Sequence, residues 1–339
     1  MKVLIGKYGQ KVIFDRMTDE VQRSNTNGNV YLYKLMKLLF DNNKDDTFFL
    51  ISNNIGSEIF DNVIDFSQND VKSLNVLNDL DALIIIAGLG EYEKDERFIK
   101  IINEAKTKKF ILIAEDPRCI QSMNDDNRLT RVPDIILTQT KGCITFKHQV
   151  VDMVYEPIQT SACYEESFYY NDRKAEGLLL VANTSGKEYD RHKIAGKILD
   201  DISCDVYGRL TEEDISFLKN GAYYGEVNFD EMIKVIRKAY YMLLIPIKNG
   251  WCTAKYLEAI LNDTLPIFHK DYNVDLLGNN LLNKYVVEST EDLKFIIDYA
   301  NKHKEVVEND MQEFRKTLVE PYMSGSVLSN RIMSYVKEE

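Results

Sequence analysis

The sequence predicts an α/β protein built as two doubly wound, parallel-sheet domains facing a central cleft. Three observations carry that expectation. Apolar strand-like runs alternate with helix-period segments through most of the chain, as parallel sheets with crossover helices require. The alternation lapses over residues 155–176 and then begins afresh. A length of 339 residues exceeds the usual single-domain size, so two cores are the default.

Taken in order, the first buried strands are expected at residues 2–5, 48–51, 82–86, 110–114 and 134–138. Helical spacing appears between several of them, notably over 30–40 and 95–106. Residues 155–176, polar and aromatic with little periodicity, read as the linker. A second set follows, with strands at 177–181, 205–207, 242–246, 265–268 and 285–287. Its helices are expected at 191–199, 212–219, 229–239 and 253–261. Three helical patterns close the chain at 290–302, 304–318 and 324–337, the last two parted by Pro321, which cannot continue a helix. The expected domains are 1–165 and 175–320, with a helix over 324–338 returning to the first. Ligands of such sheets sit beyond the carboxyl ends of the strands.

Composition narrows the function. Hydrophobic residues at 45% and charged residues at 28% suit a soluble protein able to bury two cores. No apolar run nears the roughly 18–20 residues that span a bilayer, so no membrane partner is expected. The N-terminus lacks the apolar segment of a signal peptide, which predicts a cytoplasmic protein. Five scattered cysteines without a CxxC pair suggest neither a disulfide framework nor a zinc site. The four histidines show no ligand spacing. A net charge of −12 argues against non-specific coating of nucleic acid, an affinity that rests on Lys and Arg, but allows a local basic groove.

Four loops that follow strands carry the candidate chemistry. In residues 241–270 a buried strand leads through Lys248-Asn249-Gly250 into a helix bearing Lys255 and Glu258, three apart on one face. A cation that meets a phosphate and a carboxylate that accepts from a ribose diol would suit a nucleotide tail. The same pair also fits an ordinary βαβ unit. Residues 182–191, with Thr184, Ser185, Lys187 and Arg191, offer hydroxyls and cations at a helix start, a reasonable pyrophosphate cradle without the P-loop spacing. Asn27 and Gly28 lie in a small polar loop suited to a diphosphate, a sugar or plain helix capping. Asp116, next to Pro117 and Arg118 after the 110–114 strand, is placed as a general base or as a surface ion pair. No GxGxxG follows any strand, which weakens a nicotinamide or flavin enzyme.

These segments resemble glycosyltransferases of the two-Rossmann, GT-B fold. A closer similarity is to the phage DNA β-glucosyltransferases. It is carried by MKVLIGKYGQKVIF, NVYLYKLMKLL, LIAEDPR, VYEPI, VYG, YYGEV and TAKYLEAILNDTLPIFHKDY in that family's order. The resemblance implies UDP-glucose as donor, with Mg²⁺ or Mn²⁺ as an optional ion at the diphosphate. By position, Asp116 resembles the catalytic base, and Arg191 and Lys187 resemble diphosphate-binding cations. Glu258 matches the ribose-binding Glu and Val227 a backbone contact to uracil. Lys255 stands where the family has Arg, keeping charge but losing the bidentate fork. Asn27 and Gly28 replace an acidic residue near the sugar.

The expected reaction is therefore inverting transfer of glucose from UDP-glucose to the hydroxymethyl group of a modified pyrimidine in double-stranded DNA, by a monomer in the host cytoplasm. Arg118, Arg128, Arg131 and Lys141 would form its phosphate-contacting rim. The rivals are a GT-B enzyme with a glycan, lipid-linked or small-molecule acceptor, a non-catalytic nucleotide-binding module, and a UDP-sugar epimerase.

Overall fold

The structure, a computed structural model, describes residues 1–8, 30–51, 61–65, 77–87, 96–114, 116–166, 177–183 and 189–338. The chain divides into two compact units. One comprises most residues up to Ser161 together with Ser324–Glu339, and the other chiefly Ala162–Met323.

The first unit runs β1 (Lys2–Tyr8), α1 (Val30–Asn42), β2 (Thr47–Ile51), β3 (Val63–Asp65), β4 (Leu80–Ala87), α2 (Glu96–Glu104), β5 (Thr107–Ala114), α3 (Pro117–Asp125), β6 (Ile135–Thr138), β7 (Gly142–Phe146) and β8 (Gln149–Tyr155). The strands form one sheet in the order β3-β2-β1-β4-β5-β6-β8-β7, parallel throughout except for β7. Its centre is uninterrupted apolar sequence, with Leu83 to Ile86 and Ile111 to Ala114 fully buried. Strands covered on both faces need that composition, and it is what made them visible in the sequence.

The β7–β8 hairpin was not expected. Its turn places Lys147 and His148 at φ 46° and 68°, the left-handed conformation that two-residue hairpin turns demand. Neither residue advertises such a turn. Cys143 and Val150 are exposed, so no apolar run marks the strands. The stretch read as linker is also structured at its start. Tyr155 ends β8, and Ile158–Cys163 forms a buried 3₁₀ helix.

The second unit runs β9 (Leu178–Val181), α4 (Arg191–Ile198), β10 (Cys204–Tyr207), α5 (Glu212–Phe217), β11 (Gly221–Tyr223), α6 (Phe229–Lys238), β12 (Tyr241–Leu244), α7 (Lys255–Leu261), β13 (Leu265–His269), β14 (Val286–Val287), α8 (Thr290–Lys302) and α9 (Lys304–Leu318). All its strand pairs are parallel, in the order β11-β10-β9-β12-β13-β14. Strand order reverses between β9 and β12, the point where open α/β sheets bind ligands. In the first unit the reversal lies between β1 and β4.

Helix α7 departs from expectation. It begins at Lys255 rather than residue 253, and Tyr256 to Leu261 are all buried, which makes it a core helix. A 3₁₀ turn at Glu320–Tyr322, holding Pro321, separates α9 from α10 (Ser326–Lys337). Helix α10 buries Leu328, Ile332, Met333 and Val336, one stripe at helical spacing, in the first unit. Asn43 donates to Ser329 Oγ at 2.7 Å and Tyr335 Oη to Glu156 Oε1 at 2.7 Å, fixing α10 against α1 and the end of β8. Among the described residues no helix is long and apolar enough to cross a membrane.

Candidate functional site

The loops leaving β9 and β12, the strands at which the second sheet reverses its order, are both fastened to Asp271 after β13. The first carries Asn183, whose carbonyl accepts from both the Arg191 guanidinium and His192 Nε2. Asn183 Oδ1 accepts from Arg209 N at 2.9 Å, tying this loop to the one after β10. Arg191 follows Asp190, the N-cap of α4, and is held against the rim with little exposure. His192 behind it is fully buried, and burial together with the Arg191 charge lowers its pKa, so it serves as a neutral packing group.

Gly208 shows how closely these backbones approach. Its φ is +134°, and a Cβ there would lie 1.9 Å from Ala182 O. Gly225 also has positive φ, +88°, but open space around it. Gly208→Ala should therefore cost roughly 2–4 kcal/mol through clash plus strain, against roughly 1–2 kcal/mol for Gly225→Ala. Urea unfolding midpoints of the two variants test this; equal losses would contradict the close approach.

Lys255 is the first helical residue of α7 and Glu258 sits one turn on. Their side chains meet at 2.7 and 3.0 Å, and Lys255 Nζ also contacts Met232 Sδ at 3.0 Å. Glu258 is 1% exposed, whereas the Lys255 side chain keeps 27% of its surface. The carboxylate is thus a buried acceptor fronted by a partly exposed cation. Val227 is half-buried just ahead of Asn228, the N-cap of α6.

Sequence reasoning missed the residues that fasten these loops. Asp271, after β13, accepts from Tyr189 Oη at 2.9 Å, and its carbonyl accepts from Gly250 N at 2.8 Å. The buried Tyr272 hydroxyl accepts from Thr253 N and donates to Thr253 O. Burial and the Asp271 bond push the Tyr189 phenol well above its ordinary pKa, so it stays a donor. The only sequence trace was the DY pair ending the quoted segment. Cys252 in the same loop is buried and its thiol is pushed up to about 12, which removes it as a nucleophile.

In the first unit Asp116 is the N-cap of α3, accepting from Arg118 N at 2.8 Å. The Arg118 guanidinium grips the same carboxylate through Nε at 3.0 Å and Nη2 at 2.7 Å, and that bond raises the arginine pKa. Asp116 is buried and Arg118 exposed, so this is more than the surface ion pair the sequence allowed. The expected cationic rim divides. Arg128 is paired with Asp126 at 2.6 Å. Arg131 donates to Ala105 O and Thr107 Oγ1 and lies 5.3 Å from the Phe110 ring centre. Lys141 is exposed. Asn27, Gly28, Thr184, Ser185 and Lys187 lie outside the described residues.

Comparison with solved structures places the chain on the GT-B fold. T4 phage β-glucosyltransferase, in a structure on substrate binding and catalytic mechanism, matches with TM-score 0.66 and 15% identity over 100% of both chains. The same enzyme in complex with UDP and Mn²⁺ matches with TM-score 0.65 and 14% identity, again over 100% of both. An α-glucosyltransferase in complex with UDP-glucose and DNA containing an abasic site matches with TM-score 0.64 and 11% identity over 99% of both. No family model and no curated protein sequence matches the chain.

Proposed function

We propose that this chain is an inverting glycosyltransferase that uses a UDP-sugar, with UDP-glucose the favoured donor. One observation carries the reading. Arg191 and the Lys255–Glu258 pair leave the two strands, β9 and β12, between which strand order reverses, on a fold shared end to end with enzymes solved with UDP-glucose. Glu258 takes the ribose hydroxyls, Val227 the uracil edge through its backbone, and Arg191 and Lys255 the diphosphate. Lys187, Thr184 and Ser185 belong to the same donor loop, and Asn27 and Gly28 to the sugar side.

Transfer then follows from charge. Asp116 removes the proton of an acceptor hydroxyl, whose oxygen attacks the anomeric carbon. The bond from that carbon to the β-phosphate oxygen breaks, and its electron pair leaves with UDP. The negative charge growing on the diphosphate is what the site must stabilise, and preorganised cations do so for several kcal/mol. Among the described residues no group of three His, Cys, Asp or Glu side chains gathers to hold a metal ion. An optional Mg²⁺ or Mn²⁺ would be held chiefly by the diphosphate oxygens and water, where it would neutralise leaving-group charge.

For the acceptor we favour the hydroxymethyl group of a pyrimidine in double-stranded DNA, turned out of the stack to reach Asp116. Arg118, which grips that carboxylate, and Lys141 supply exposed cations in the same unit, where Arg128 and Arg131 are tied to protein groups. The internal ties of Arg128 and Arg131 favour a second reading, a glycan, lipid-linked or small-molecule acceptor. The deciding experiment follows UDP release from UDP-glucose with hydroxymethylcytosine DNA, hydroxymethyluracil DNA and no acceptor. Release that depends on modified DNA is expected. Release with neither DNA, and no salt-sensitive gel shift, would hand the acceptor to the second reading.

A further inference from the structure

An aromatic platform lies in the loops after β10 and β11, linked to Arg191 through Asn183 and Arg209. The rings of Tyr207, the last residue of β10, and Tyr224, just past β11, stack at 5.0 Å with 17° between planes. Tyr224 is nonetheless 57% exposed, so a large part of the ring stays open to solvent. The pair is held by backbone. Tyr224 N donates to Val206 O at 2.9 Å, Gly208 N to Gly225 O at 2.9 Å, and Tyr223 Oη to Gly208 O at 2.8 Å. A tyrosine with a pinned backbone and one ring face already stacked has lost part of the freedom that a second stack would otherwise cost it.

The platform is also connected to the cation. Arg191 bonds Asn183 O, Asn183 Oδ1 holds Arg209 N, and Arg209 follows the Gly208 that binds Gly225. Guanidinium and aromatic face thus belong to one hydrogen-bonded rim, which suits a ligand with an anionic end and a planar end. We infer that Tyr224, backed by Tyr207, is the surface on which the donor's nucleobase stacks. The inference rests on the nucleotide-sugar reading and deepens it by naming what holds the base by its face.

Base–aromatic stacking lost to alanine weakens binding roughly 5- to 100-fold. Calorimetric titration of UDP into the wild-type chain, Tyr224→Ala and Tyr224→Phe should show that loss in the first variant and its recovery in the second, which keeps the ring. Proton NMR of bound UDP should place uracil H5 and H6 upfield in the wild type, a ring-current shift that general loosening would not produce. Wild-type UDP affinity in Tyr224→Ala, or uracil protons without the upfield shift, would overturn the platform while leaving the donor reading intact. A wild-type chain that binds no UDP would overturn both.

Discussion

Asp116→Asn should lower turnover by a factor on the order of 10²–10⁴, the usual contribution of a positioned base, with UDP affinity unchanged. The substitution removes the base but keeps the helix cap, losing besides only the ion pair to the exposed Arg118. Asn is as good an N-cap as Asp, so the bond from Arg118 N survives and α3 keeps its start. Asp116→Ala loses the cap as well and should cost about 1 kcal/mol of stability in addition. UDP-release kinetics beside calorimetric UDP titration read the two quantities separately. Near wild-type turnover in Asp116→Asn would mean that another group takes the proton. A parallel loss of UDP binding would mean that Asp116 belongs to the donor site instead.

Lys255 and Glu258 should respond unequally to removal, although they form one pair. Glu258 keeps about 1% of its surface in a helix that is otherwise buried, so Lys255→Met takes the nearby cation from a carboxylate that water scarcely solvates. Losing one partner of a buried pair costs up to roughly 3–5 kcal/mol. Glu258→Gln leaves a lysine that keeps 27% of its side-chain surface and can turn outward, so its stability cost should stay near 1 kcal/mol. Its effect should fall on binding, about tenfold or more for UDP, because an amide oxygen replaces a charged acceptor toward the ribose. Thermal unfolding and UDP titration of both variants test the asymmetry. Equal stability losses would place Lys255 deeper in the energetics than its exposure indicates.

Much of this fold was legible because parallel strands buried on both faces must be apolar from end to end. Residues 82–86, 110–114 and 242–246 could hardly be anything else. The β7–β8 hairpin escaped because half its side chains face water and its turn is Lys-His rather than Asn-Gly. Helix α3 escaped because Asp116-Pro117 reads equally as a turn and as a cap followed by proline at the first helical position. Site residues were legible as chemistry but not as allegiance. Arg131 and Lys141 look alike in sequence, yet only burial against Phe110 and the Ala105 carbonyl reveals Arg131 as a strut. The Asp271 and Tyr272 fastenings were invisible because their partners lie 82 and 19 residues away.

Because helix α10 follows the whole second unit in sequence, the first unit is begun before that unit and finished after it. Until residues 326–337 are made, the face of α1 and the end of β8 stay uncovered, while the second unit has every strand and helix it needs. Nascent chains would therefore carry a complete carboxyl-terminal core beside an amino-terminal one that is still open. Residues 326–337 thus close the core of the unit that bears Asp116.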